Sequence, residues 1–539
     1  MTVRLDGESL TPEDVVAVAR DDATVSIADD ARERVRASRE RVEDVLESGE
    51  PVYGLNTGFG ELVDERIPRD RLEQLQANLL RSHAAGTGRE LTREEVRAMM
   101  VTRVNALAKG YSGIREVVLE HLVRMLNEGV HPVVKSRGSL GASGDLAPLA
   151  HMSLVLIGEG EALVDADRAE NGDDSSASTR LPGEEALAEI DLEALTLAPK
   201  EGLALINGTQ LSVGLASFVV VDGEALVRAA DVAGALTTEV TLGTTASSDP
   251  AIHGVRPHAG QRVSAANVRR LTAGSEIVEA HRNCDRVQDA YSLRCLPQVH
   301  GAVRDAVSHL REAVTVELNS ATDNPLVFDA AGLDDRASGT SRAAVLSGGN
   351  FHGEPLALRL EYVRIALTEL AAISERRIDR LVNPNLQEPH LPPFLAPDSG
   401  VQSGYMITQY AAAACLNDVR SIGTAATDNT PVSGGQEDHV SMSGGAALNS
   451  RRALERVRTV VASELVCAAQ AAEFVDDAFD AAGLSLGNGT AAAYEVLREV
   501  VPPLEEDRPV HRDVEAAADV LETGLLEERV SDRCGGFAD

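Results

Sequence analysis

Gly138-Ser-Leu-Gly-Ala-Ser-Gly-Asp-Leu-Ala-Pro-Leu-Ala-His151 sets three glycines within seven residues, directly ahead of an Ala/Leu run. Glycine clusters are costly inside helices and strands, so they mark tight turns or places where backbone must approach something closely. Read alone, the segment is a small-residue turn leading into a helix. Three similar clusters occur elsewhere, at Tyr53 to Gly60, Ser347 to Gly353 and Ser433 to Gly445. The sequence around them is helical in pattern. Apolar residues recur every three or four positions at Val303, Val307, Leu310, Val314 and Leu318, and again at Leu356, Leu360, Val363, Leu367 and Leu370. Glu354 and Pro355 form a helix start for the second run. Short internal repeats are absent.

Three familiar chemistries fail on these glycine segments. There is no GxxxxGK[ST], and Gly54, Gly58 and Gly60 run in the reverse of the dinucleotide-binding spacing. Ser143 in GASG and Ser139 in GSLG lack the GxSxG elbow of a serine hydrolase, and no alternating strands surround them. The 13 histidines include no HExxH, and Glu437-Asp438-His439 alone is too sparse for a metal site, so no metal is expected.

The bulk composition narrows the partners. The 539 residues carry 50 basic and 85 acidic side chains, a formal net charge of −35. Only Lys109, Lys135 and Lys200 are lysines. Such a chain repels nucleic acid and anionic membranes. An acidic, lysine-poor surface suits a saline cytoplasm, where screening removes most self-repulsion. Aromatics make up 3% and there is no Trp, so the core is aliphatic and Ala-rich, as in closely packed helices. Cys284, Cys295, Cys415, Cys467 and Cys534 are widely spaced and form no CxxC pair, which argues against both a disulfide framework and a zinc site. MTVRLDGESL turns acidic at once and has no apolar core, so no signal peptide is read and a cytoplasmic protein is expected. The longest apolar run, Leu211 to Val221, reads as too short for a membrane span and is cut by Asp222. Asp165 to Thr179 is acidic and Ser/Asn-rich, an expected surface insertion; Phe328 to Thr340 reads as a second solvent loop.

The 138–151 stretch resembles the signature of the aromatic amino acid ammonia-lyases. In that family an Ala-Ser-Gly triplet condenses into the electrophile 4-methylideneimidazole-5-one, abbreviated MIO. Further motifs match in the family's order: Tyr53-Gly-Leu-Asn-Thr-Gly-Phe-Gly60, Arg81-Ser-His-Ala-Ala-Gly86, Asn207-Gly-Thr-Gln210, Val287-Gln-Asp-Ala-Tyr-Ser-Leu-Arg294, Gly348-Gly-Asn-Phe-His352 and Gln436-Glu-Asp-His-Val-Ser-Met442. The resemblance implies a mainly α fold, an elongated helical bundle of the fumarase/aspartase-like kind with a smaller mixed N-terminal region. The expected division places the triplet, Tyr53 and His83 in 1–200, and the long helical bundle with a C-terminal helical region in 201–539. A homotetramer whose active sites are shared between subunits is implied with it.

Carried over residue by residue, the resemblance assigns the self-made electrophile to Ala142, Ser143 and Gly144, with no external cofactor. Gly144 supplies an amide unhindered by a Cβ to attack the Ala142 carbonyl, and Ser143 a hydroxyl to lose as water. Asn207, Gln288 and Phe351 match positions lining the triplet. Arg294 matches the residue that takes the substrate carboxylate, a task suited to a planar guanidinium. Tyr291 is favoured as the base for the β-proton, and Tyr53 as a supporting acid or proton carrier. His83 and Glu437 point to L-histidine, because relatives acting on phenylalanine or tyrosine usually carry another residue, commonly glutamine, at the Glu437 position. A carboxylate and an imidazole can hydrogen-bond a ring bearing two nitrogens, and are left unpaired by a benzyl group. The expected reaction is loss of ammonia from L-histidine to give trans-urocanate. An aminomutase, a tyrosine ammonia-lyase and a helical scaffold without chemistry remain as alternatives. Lys135 stands where the family often has a second proline before the Gly-Ser pair, and the acidic insertion is longer than usual; neither touches a matched position.

Overall fold

The computed structural model describes residues 1–49, 51–57, 67–166, 178–282, 286–331, 333, 337–427, 429–479 and 483–538. Two compact units emerge. The first comprises Met1–Phe218, Leu310–Glu361 and Thr424–Leu448; the second comprises Val219–His309, Tyr362–Gly423 and Asn449–Asp539. Each is assembled from three stretches of chain, so no single cut near residue 200 separates them.

Four long helices supply most of the framework: Gln210–Val240, Leu296–Leu318, Glu354–Val382 and Ser443–Ala472. The apolar stripes read from the sequence are their buried faces. Val303, Val307, Leu310, Val314 and Leu318 are each at most 1% exposed, and Leu356, Leu360, Val363, Leu367 and Leu370 are fully buried. The second of these helices begins at Glu354, as its Glu-Pro start implies. Gln210–Val240 is, by length and composition, apolar enough to cross a membrane, contrary to the reading of the Leu211 to Val221 run. Of its apolar window 78% is buried within the protein.

Within the second unit the four helices meet around a buried polar network. Arg377 forms an ion pair with Glu464, which also accepts from Thr237 Oγ1 at 2.9 Å and Ser374 Oγ at 2.6 Å. Asp231 accepts from Arg304 at 2.6 Å and Asn267 Nδ2 at 2.9 Å, and lies 2.8 Å from His300 Nδ1. Burial drives the His300 imidazole below its usual pKa despite that carboxylate.

Every strand among the described residues falls in the first unit. Leu326–Asp329 pairs antiparallel with Ala343–Leu346, which also takes Ser338–Gly339. The expected loop at Phe328 to Thr340 is therefore narrower than the sequence suggests. Val327, Ala343 and Val345 pack on Val42, Val45, Val52 and Leu55, and that burial draws the flanks into strands. Glu161–Asp165 pairs with Ser178–Pro182 at the base of the acidic insertion, whose 167–177 lie outside the described residues. Lys135–Arg137 pairs with Thr87–Glu90, and Lys135 itself meets Glu90 at 3.1 Å.

Candidate active site

The Ala142-Ser143-Gly144 triplet sits just ahead of the helix Leu146–Leu154, held from both sides by backbone. Gly353 N–H and Ser441 Oγ both donate to Gly141 O at 3.0 Å, and Met442 N–H donates to Leu140 O at 2.7 Å. On the other side Gly144 forms an isolated bridge with Gly208, and Asp145 N–H donates to Gly208 O at 2.7 Å. Gly144 has φ +76, and a Cβ there would stand 2.2 Å from Gly208 O. Only glycine meets both demands.

Asp145 is buried beneath the triplet. It accepts from Ser139 Oγ at 2.6 Å, Ser212 N at 2.8 Å and Ser212 Oγ at 3.0 Å, yet desolvation holds its pKa above the usual carboxylate value. Asn207 follows the short helix Glu201–Ile206 and donates through Nδ2 to Ser143 O at 2.8 Å. Its Oδ1 is buried and has no hydrogen-bond partner among the described residues. Behind it Arg103, fully buried, donates to Asn207 O at 2.9 Å and to Gln210 Oε1 at 2.6 Å. Burial pulls the Arg103 guanidinium down to about 10. These contacts fit the condensed triplet that the resemblance implies. In such a triplet the left-handed Gly144 would supply the ring nitrogen, and the Asn207 amide already grips the Ser143 carbonyl.

Ser143 opens onto a cavity of about 870 Å³. Tyr53, His83, Ala142, Ser143, Asn207, Phe351 and Glu437 all line it, joined by Leu79, Leu146, Leu203 and Gln436. Glu437 Oε1 accepts from Ser143 Oγ at 2.9 Å. His83 ends the helix Leu72–His83, and its Nδ1 lies 2.9 Å from Leu79 O and 3.0 Å from Ser82 Oγ. Donation from Nδ1 to that carbonyl leaves Nε2 as an acceptor. Burial lowers the His83 pKa; the Leu79 carbonyl and the Glu437 charge pull the other way and only reduce the shift. The imidazole is thus neutral at neutral pH. Gly58 and Gly60, the end of the Tyr53 motif, lie outside the described residues.

Three expected residues stand elsewhere. Gln288, Tyr291 and Arg294 belong to the second unit and do not line this cavity. They form a group of their own: Arg294 donates to Gln288 Oε1 and its guanidinium lies 5.6 Å from the Tyr291 ring centre. Tyr291 is 74% exposed and the neighbouring Val287 94%. Asp145, Ser212 and Arg103, which hold the triplet and Asn207, were not singled out from the sequence. Asp145 lies inside the quoted stretch, and Arg103 is a charge amid an apolar helix, but nothing local ties either to its partners. A second cavity of about 750 Å³ is lined by Asp22, Arg93, Arg97 and Asp165, whose charges pair with each other.

Comparison with known proteins places these observations. The chain is 64% identical over 529 residues to a probable histidine ammonia-lyase of Halobacterium salinarum, covering 98% of each sequence. That source agrees with the acidic, lysine-poor composition. It is 49% identical to a histidine ammonia-lyase of Anaeromyxobacter sp. (strain K), covering 98% of this chain and 99% of the relative. Among solved structures, histidine ammonia-lyase from Trypanosoma cruzi superposes with a TM-score of 0.87 at 38% identity, over 99% of this chain and 96% of that one. A tyrosine aminomutase from Streptomyces globisporus gives 0.88 at 38%, over 99% of both chains. The family profile described as aromatic amino acid lyase spans residues 10–499, and the chain belongs to that family.

Proposed function

We propose that this protein removes ammonia from L-histidine to give trans-urocanate, the opening step of histidine breakdown, as a cytoplasmic enzyme. The observation that carries the reading is the placement of a carboxylate, Glu437, and a neutral imidazole, His83, in the cavity onto which Ser143 opens. The names of the similar proteins support it.

The condensed Ala142-Ser143-Gly144 triplet, formed autocatalytically, supplies an electron-poor alkene that turns the substrate amine into a leaving group. The remaining side chains bind and orient. Glu437 accepts from one ring N–H of the substrate, taken as its imidazolium, and His83 Nε2 accepts from the other. Asn207 Oδ1, an unpaired buried acceptor, receives an N–H of the substrate's amino group. Tyr53 lies at the cavity wall, where its hydroxyl can carry a proton. Leu79, Leu146 and Phe351 exclude water around the reacting carbon.

Tyr291 as base and Arg294 as carboxylate clamp enter through assembly. The proposed homotetramer brings the Gln288–Tyr291–Arg294 group of one subunit to the cavity of another. The exposure of Tyr291 and Val287 in the single chain supports this, since large side chains left in water mark a surface that a partner covers.

The test is incubation with L-histidine in concentrated salt while urocanate absorbance is followed, with Ser143→Ala as control. The likeness to a tyrosine aminomutase makes a β-amino acid product the second reading. Chromatography of the products separates the two. Appearance of a β-amino acid without free ammonia overturns the proposal, as does turnover of L-tyrosine in preference to L-histidine.

A further inference from the structure

His352 and His439 come from separate stretches of the first unit and stand side by side at the cavity wall. Their rings are nearly parallel, 7° apart, with centres 5.6 Å from each other. Glu354, the first residue of its helix, completes a triangle: one ligand atom from each of the three residues lies within 4.8 Å of the others. Glu354 Oε2 is shielded from solvent and has no hydrogen-bond partner among the described residues; His439 Nε2 lies 4.0 Å from it. A carboxylate oxygen left so is costly unless something positive meets it. Among the described residues the His352 nitrogens are engaged by long contacts alone, Glu354 N–H at 3.4 Å and His439 O at 3.3 Å, which give way easily to a stronger partner.

We propose that His352, Glu354 and His439 bind a divalent transition-metal ion of the zinc class. Two imidazoles and one carboxylate are a donor set that zinc takes with a fourth position open, whereas magnesium and calcium prefer oxygen ligands throughout. Bonds of about 2.0 to 2.2 Å around one ion set ligand atoms roughly 3.4 Å apart. The present triangle contracts to that by rotation of His439, whose side chain is 69% exposed. Because His439 lies two residues after Glu437 and His352 directly follows Phe351, the ion ties together two segments of the cavity wall. Binding is measured directly, so the inference does not rest on the choice of amino-acid substrate.

The test uses the intact protein, stripped of metal with a chelator and held in concentrated salt. Cobalt(II) is titrated and its d–d absorption recorded; zinc affinity is then measured by competition with a chromophoric chelator. One ion per chain is expected, with the strong visible absorption of low-coordinate cobalt. His439→Asn and Glu354→Gln, which keep side-chain size, are each expected to weaken binding at least about tenfold while circular dichroism stays unchanged. Glu437→Gln is expected to leave affinity within about twofold. Binding of many weak ions over the acidic surface, unmoved by the first two variants, overturns the proposal. So does affinity that depends on Glu437 instead, or no binding at all.

Discussion

Glu437 and His83 face the cavity from segments more than three hundred residues apart in sequence, and each makes a separable prediction. In the proposed binding mode Glu437→Gln removes a charge-assisted hydrogen bond to the substrate ring, worth about 1.5–3 kcal/mol, so kcat/KM for L-histidine should fall by roughly 10- to 150-fold. The same change should narrow the gap to L-phenylalanine, measured by the ratio of the two kcat/KM values. An unchanged ratio would remove Glu437 from the specificity argument. For His83 the sign follows from its neutral folded form. Protonation destroys the acceptor at Nε2, so kcat/KM falls as pH drops. Because burial depresses the pKa, the midpoint of that fall lies below the ordinary imidazole value of about 6.5. His83→Gln should abolish this limb of the pH profile. Gly144→Ala forces a Cβ to within 2.2 Å of Gly208 O at a left-handed φ. It should eliminate activity, and intact-mass measurement should show the wild-type chain, but not this variant, lighter by two waters.

At the scale of helices, the buried pairs in the second unit govern how cooperatively they hold. Arg377→Met strands Glu464 in a fully buried position, at a cost of about 3–5 kcal/mol. Replacing Glu464 as well should recover much of that loss, which a double-mutant cycle by thermal unfolding would read. His300 adds a pH term of definite sign. Its folded pKa is depressed, so the unfolded chain binds the proton more readily. Its contribution is fully present above about pH 6.5 and is lost as pH falls through the lower folded value. The helices were legible because their buried faces repeat every three or four residues in an otherwise mixed sequence, as at Val303 to Leu318. The strands at Leu326–Asp329 and Ala343–Leu346 were not. They are short, and what holds them is packing on Val42 and Val45, nearly three hundred residues away. The site divides in the same way. Contiguous motifs announced the triplet, Asn207 and Glu437, but the support under them, Arg103 beneath Asn207 and Ser212 beside Asp145, joins distant segments that no local pattern links. Gln288, Tyr291 and Arg294 were legible as a motif, but they are not among the residues that line the cavity.

For the whole molecule the −35 charge is the dominant quantity. Screening length falls from about 30 Å at 0.01 M salt to about 3 Å at 1 M. Stability should therefore rise steeply with potassium chloride over that range, measured as the thermal midpoint, and a flat response would count against a saline habitat. The interleaving of the two units has a consequence for how the protein is made. The triplet, Tyr53 and His83 leave the ribosome early, yet the unit that contains them is finished only by 424–448. Glu437 and the Ser441 that clasps Gly141 are therefore among the last parts of the cavity to be synthesised. Nascent chains halted before that point carry Ala142, Ser143 and Gly144 without Ser441 and Glu437 beside them, so if the proposed condensation needs that enclosure, its timing is set by translation of a segment about three hundred residues downstream.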